Sequence, residues 1–415
     1  MYKIADNIIS SLGFTTEENY NAIKKGITGI KYYEKGTFNL PEPFMAALID
    51  KERLNDEFEK LSQKNCYTAL EKAAILSVYY ANQKSKIDVS SEKTIFVLSS
   101  TKGNVEQLEI RQLEIKHEAL IPNFTSQIYL WRTAELITEF FGNPNTPIVI
   151  SNACISGVAA QDVAMRALQS GKYDHAVVVG VDFLSKFIIS GFQSFKALSP
   201  ELCKPFDKNR CGLNLGEAAA TMIFEKEVKK LEEVKGVKEL KGVRLVAGAV
   251  RNDATHISAP SRTGEGSYRA LQSILPPLTS NLKPLTSHLL PHLAFINVHG
   301  TATPYNDAME MNAIVRAGLQ NVQVNGLKGY FGHTLGAAGL VETIISIRAL
   351  EEGIVLKTMG FEENEQLIMN DEQFSLMVCK ENMKTDKKYF IKMMSGFGGV
   401  NAALLYENIA TNNTN

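Results

Sequence analysis

Short apolar runs alternate with amphipathic stretches along most of this chain. The runs that read as strands are Thr94–Ser99, Pro147–Ser151, Ala176–Val181, Thr221–Glu225, Val243–Ala249, Ala294–Val298, Val322–Asn325, Ile354–Thr358, Phe374–Cys379 and Tyr389–Met394. Helical spacing of apolar positions covers about 67–82, 104–119, 126–140, 156–170, 306–318 and 335–352. This alternation predicts an α/β fold, with sheets covered by helices. The charged stretch Lys226–Lys241 reads as a solvated connection between an N-terminal half, 1–235, and a C-terminal half, 236–415. A faint repeat supports the division. GVAAQDVAMRALQSGKY after Cys154 parallels LGAAGLVETIISIRALEEGI after His333, each an amphipathic helix ended by glycine. The run AVVVGV (Ala176–Val181), short and uncharged, reads as a sheet edge that needs a cover.

Candidate chemistry gathers where strands end. Cys154 follows an apolar strand within three residues and precedes a helix, TPIVISNACISGVAAQ. A thiol there lies near unpaired backbone N–H groups and the positive end of the helix dipole, both of which favour thiolate. Far downstream, INVHGTATPYND carries His299 and LKGYFGHTLGAAGLVETI carries Lys328 and His333. Two of seven histidines and one of five cysteines thus end apolar strands inside small-residue loops. In an open α/β fold these positions converge on one sheet edge, the usual place for chemistry. A cysteine with histidines beside it suits covalent acyl transfer.

Composition narrows the alternatives. With 415 residues and 45% hydrophobic content, the chain can bury a large core. A net charge of −1 offers no global field for nucleic acid or an anionic membrane. No apolar run approaches the length of a membrane span. The start, MYKIADNIISSLGF, does not read as a signal peptide, so a cytoplasmic location is expected. The five cysteines (66, 154, 203, 211 and 379) contain no C-x-x-C, so they read as free thiols and no metal site is expected.

Taken together, NACISG, HGTATP, K-x4-GHTLGAAG, KPFDKNRCGLNLGEAAA and SGFGGVNAALL resemble, in order, the β-ketoacyl-acyl carrier protein synthases of the elongating, Cys-His-His type. The resemblance implies the thiolase-like fold, two pseudo-symmetric halves in five layers, αβαβα. It implies an acyltransferase that loads an acyl group on Cys154 and condenses it with a malonyl thioester as CO2 leaves. His299 and His333 would stabilise the malonyl thioester oxygen, since neutral imidazole donates a hydrogen bond without an easily lost proton. Backbone N–H groups of Cys154 and Phe397 would form a second oxyanion hole. Lys328 either tunes the site or pairs with Glu342, and the family uses the corresponding pair to hold the site together. Thr301 and Thr303 are either turn residues or, with Ser258, contacts for the pantetheine arm. That arm belongs to the acyl carrier protein, so no cofactor of the chain's own is expected. Lys204 would face the carrier protein, whereas Lys208 and Arg210 either join it or pair with Asp207 and Glu217. The resemblance also implies a homodimer, or a heterodimer with a homologous chain-length subunit, paired through Ala176–Val181.

Four departures point to a specialised acyl pocket. The usual first strand and T-G-x-G turn are replaced by YKIADNIISSLGF, the Leu198–Lys204 loop is short, Ile155 follows the cysteine, and Val400 replaces threonine. Two rivals remain. A chain-length subunit generally lacks the cysteine that is present here. A degradative thiolase needs a second reactive cysteine near the C-terminal glycines, where this chain has SGFGGVN.

Overall fold

Along the strand His175–Asp182, Val177, Val179 and Val181 pack on one side of the sheet and Ala176 and Val178 on the other. This is the period-two sidedness of a strand covered on both faces. The computed structural model describes residues 1–64, 66–109, 125–226, 242–275, 289–363, 367–369 and 372–409.

The main sheet runs in the order Ile148–Ile150, Thr94–Ser99, His175–Asp182, Ala218–Glu225, Tyr2–Ser10, Val243–Asn252, Val400–Asn408, Tyr389–Gly396, Leu293–Asn297, Gln323–Asn325 and Met377–Val378. Between Tyr2–Ser10 and Val243–Asn252 a single register pair, Tyr2 with Arg244, joins two sets of strands. The sets repeat one pattern. Thr94–Ser99 is parallel to both Ile148–Ile150 and His175–Asp182, then Ala218–Glu225 and Tyr2–Ser10 follow antiparallel. Leu293–Asn297, Gln323–Asn325, Tyr389–Gly396, Val400–Asn408 and Val243–Asn252 are related in the same way.

Helices Ser156–Gln169 and Ala338–Glu351 follow equivalent strands and fill the space between the two sets. Val158, Ala160 and Leu168 from one, and Leu340, Val341 and Ile344 from the other, share a core with Ile8, Val178 and Phe224 and with Phe390, Met394 and Tyr406. Where these helices cross, a Cβ on Gly157 would lie 2.8 Å from Gly336 O, and one on Gly339 2.5 Å from Val158 N. Alanine at either glycine would overpack the crossing, at a cost of about 1–3 kcal/mol. Outside the first set, Phe58, Leu76 and Ile137 pack on Phe96, Val177 and Ile223. Outside the second, Leu271 and Ile314 pack on Ile296, Ile391 and Leu405. The result is five layers, αβαβα, the thiolase-like fold.

Several expectations change. Ala176–Val181 is no edge: its strand lies between Thr94–Ser99 and Ala218–Glu225, and the edge of this set is Ile148–Ile150. The unusual N-terminal start still forms a nine-residue strand, Tyr2–Ser10, at the centre of the sheet. Phe374–Cys379 divides into Glu372–Phe374 and Met377–Val378, in different sheets. Most of the predicted helix 104–119, most of the Lys226–Lys241 connection and the 235/236 boundary lie outside the described residues.

Candidate active site

Strand Ile148–Ile150 delivers the chain to Ala153, which adopts a left-handed backbone, φ 46°. Such a conformation is strained for alanine and turns the chain sharply. Ser156 fixes the turn: its Oγ donates to Ala153 O at 2.6 Å and accepts the Asn152 N–H at 2.8 Å. Helix Ser156–Gln169 starts two residues after Cys154, so the thiol sits at the helix N-terminus. Its surroundings nevertheless oppose ionisation. Burial pushes the thiol up to about 11, against the positive charges of Lys328 and Lys102. The resting form is therefore the thiol, not the thiolate expected from the helix end alone.

His299 enters from the strand Leu293–Asn297, and its backbone is tied on both sides. The N–H groups of His299 and Gly300 donate to the Glu310 carboxylate at 2.7 and 2.8 Å, and the His299 carbonyl accepts from Lys328 Nζ at 2.6 Å. His333 is placed by its N–H, which donates to Asn214 O at 2.7 Å. Its Nδ1 accepts the Leu335 N–H at 3.2 Å, so the ring proton belongs on Nε2, a buried atom without a protein partner. Nδ1 of His299 is likewise buried and unpartnered. Burial, then the Lys328 charge, holds both imidazoles well below the usual histidine range, so both are neutral at pH 7.

Donor atoms of Cys154, His299 and His333 lie within 4.8 Å of one another. The three residue types match a zinc ligand set, although the sequence pattern points to none. They line a cavity of about 410 Å³. Thr301, Thr303, Ser258 and Phe397 line it too, with the two threonine hydroxyls 2.8 Å apart. The half-exposed Phe397 ring stacks on Phe192 and meets Phe195 edge-on. A Cβ on Gly396 would lie 3.1 Å from Cys154 N, which puts the Gly396–Phe397 turn against the cysteine backbone.

Lys328 Nζ also donates to Glu342 Oε1 at 2.7 Å, in a fully buried pair. The expected Lys328–Glu342 contact therefore exists. Lys204 stands apart, paired with Glu201 at 3.0 Å on the surface, and does not line the cavity. Arg210 is buried and donates to the Asp207 and Pro304 carbonyls, and Lys208 pairs with Glu363. Glu217 is engaged instead by Lys51 and by the Ile49 and Leu184 N–H groups.

Three residues at this site escaped the sequence reading. Glu310 grips the His299 loop. Asp182 accepts from Ser100, Thr101 and Gly336, clamping the His333 loop to the other half. Lys392 joins Glu342. Lys392 carried a signal, a lone charge within the apolar run YFIKMM; Asp182 and Glu310 carried little, since acids at strand ends and on helices are common.

Residues 8–230 match the family described as "Beta-ketoacyl synthase, N-terminal domain", and residues 243–362 match "Beta-ketoacyl synthase, C-terminal domain". The chain is 26% identical to the 3-oxoacyl-[acyl-carrier-protein] synthase 2 of Vibrio harveyi, over 97% of each chain. It is 27% identical to the protein of that name from Vibrio cholerae, over 96% of this chain and 97% of the other. Among solved structures, the ishigamide ketosynthase/chain length factor superposes with a TM-score of 0.83 at 22% identity, covering 99% of both chains. A Burkholderia phymatum beta-ketoacyl synthase gives 0.80 at 22%, covering 98% of this chain and 99% of that one. These structures share the fold, and the sequence matches, which span both halves, place this chain in the beta-ketoacyl synthase family of acyltransferases.

Proposed function

We propose that the chain is an elongating 3-oxoacyl-[acyl-carrier-protein] synthase, joining an acyl group to a malonyl unit with loss of CO2. The observation that carries this reading is one thiol and two neutral imidazoles meeting in one cavity.

In the first half-reaction Cys154 Sγ attacks the acyl thioester carbon, the bond to the carrier sulfur breaks, and the thiol proton ends on the departing carrier thiol. The charges of Lys328 and Lys102 lower the cost of negative charge on Sγ during attack. The N–H groups of Cys154 and Phe397 meet the oxyanion that forms at the acyl carbon, a role supported by the close approach of Gly396 to the Cys154 backbone. In the second, the malonyl thioester loses CO2 and the freed electron pair moves onto its thioester oxygen as an enolate. His299 and His333 donate to that oxygen. The enolate carbon then attacks the acyl carbon, and the Cys154 sulfur leaves as thiolate, which takes one proton from solvent water to restore the resting thiol. Lys328 acts as a positioning residue, since Glu342 and the His299 carbonyl occupy its ammonium.

Thr301, Thr303 and Ser258 receive the pantetheine arm, supported by their place on the cavity wall. Lys204 contributes to carrier-protein docking from the surface. A second thiolase-fold subunit, a further copy or a chain-length homologue, pairs along Ile148–Ile150. That edge is half-buried, and the helix Leu130–Phe140 that packs against it carries at its N-terminal end Tyr129 and Trp131, stacked and about half exposed. Retention of Cys154 favours the catalytic subunit over a chain-length partner. Incubation with acyl- and malonyl-carrier protein tests the reaction: one CO2 and one 3-oxoacyl product per turnover are expected. CO2 release without a new carbon–carbon bond in the dimeric protein would contradict it.

A further inference from the structure

One charged side chain interrupts the apolar strand Tyr389–Gly396. Lys392 is fully buried, and its Nζ donates to Asn297 Oδ1 at 2.6 Å, to Val298 O at 3.3 Å and to Glu342 Oε2. Taking an ammonium out of water costs several kcal/mol unless its surroundings compensate. Here three oxygens surround it. The other Glu342 oxygen holds Lys328, whose Nζ also binds the His299 carbonyl. Two ammonium groups thus grip the consecutive carbonyls of Val298 and His299, and one carboxylate bridges both. Glu310 holds the His299 N–H on the other side of the same residue.

We propose that Lys392 is a positioning residue for His299, its ammonium serving as a resident cation in an oxygen cage that fixes the Val298–His299 step. Lys392 does not line the cavity and touches no reacting atom. Its effect on catalysis passes through the aim of the His299 ring, a claim that rests on the role given to His299 above. Misplacing a catalytic group by about 1 Å costs on the order of 10²-fold in rate. Truncation of Lys392 to alanine removes Cγ, Cδ, Cε and Nζ, and leaves the Asn297, Val298 and Glu342 oxygens around the end of that space where the ammonium lay.

The test uses the full chain with Lys392→Met and Lys392→Ala, assayed for malonyl-thioester decarboxylation, for alkylation of Cys154 and for Tm. Both variants are expected to lose about 10²-fold in kcat with KM within about threefold, and to keep Cys154 alkylation within about threefold. Ammonium or methylammonium chloride at 100 mM is expected to restore Lys392→Ala at least tenfold and to raise its Tm, because a cation bound only by the folded state stabilises it. Tetramethylammonium chloride, too large for the cage, is expected to do neither. Full decarboxylation in Lys392→Met overturns the proposal. So does a Lys392→Ala variant whose Tm rises with ammonium while its rate does not, since the lysine would then be structural alone. If Lys392→Ala does not fold, Lys392→Met decides by its kcat. Wild-type protein separates this proposal from the reaction it rests on. No decarboxylation by wild type contradicts the proposed reaction, whereas an active wild type with unaffected variants contradicts only the assignment of Lys392.

Discussion

The imidazole rings of His299 and His333 stand 5.0 Å apart with their planes at 80°. Both rings are neutral, because burial and the Lys328 charge disfavour imidazolium. Under the proposed reaction, the two neutral donors stabilise the malonyl thioester oxygen while the thiol beside them makes the nucleophilic attack. His299→Ala and His333→Ala are each expected to lower malonyl decarboxylation by about 10²–10³-fold, the usual loss for one oxyanion donor. Acylation of Cys154 is expected to survive at least partly. Separate assays of CO2 release and acyl-enzyme formation check this. Equal loss of acylation in both variants would mean that a histidine serves as the base for the thiol.

The pH dependence follows from the same burial. A thiol raised to about 11 loses thiolate about tenfold for every unit below that value. Iodoacetamide alkylation of Cys154 is therefore expected to rise with a slope near one in log rate from about pH 7 to 10. The histidines, depressed below their ordinary range, stay neutral from about pH 6.5 upward, so decarboxylation is expected to show no inflection near about pH 6.5. An alkylation plateau above about pH 8 would mean that the helix N-terminus outweighs burial.

Lys204 pairs with Glu201 at 3.0 Å on the surface, a contact that leaves the ammonium open to a docking partner. Lys204→Glu is expected to raise KM for acyl-carrier substrates, with little change for small acyl-pantetheine thioesters. The penalty is expected to shrink as salt rises, because charge at a docking rim acts mainly on encounter. Equal damage with the small substrate would assign Lys204 to the fold.

Assembly places the other demand on the surface. Ile148–Ile150 ends the sheet, and an open edge of this kind is normally covered. Light scattering at micromolar concentration is expected to give a dimer, or a weak self-association that becomes a stable pair when a chain-length homologue is added. Trp131→Glu is expected to weaken that association with the fold intact. A fully active monomer would contradict it.

Much of the fold was legible because strands buried on both faces announce themselves as apolar runs; Thr94–Ser99 matches residue for residue. The first strand was not, since Tyr2–Ser10 carries Lys3, Asp6, Asn7 and Ser10 along a segment that tertiary contacts bury. The edge assignment failed for a different reason. Local sequence reports that AVVVGV is buried but not what lies beside it, and the neighbours come from Thr94–Ser99 and Ala218–Glu225. At the site, motif-bearing residues were legible because glycine and small-residue loops mark them. Asp182 and Glu310 act through backbone N–H groups distant in sequence or across a turn, and no local pattern marks such a partner.

Intact-mass analysis after incubation with an acyl-carrier thioester tests the central claim most directly. Cys211 and Cys66 are exposed, and Cys211 also lines the cavity, so the site of the adduct is a real choice. The expected result at low reagent excess is one acyl group, located by peptide mapping on Cys154 and absent from folded Cys154→Ala. An acyl group on Cys211, or one that forms undiminished in Cys154→Ala, would contradict Cys154 as the nucleophile.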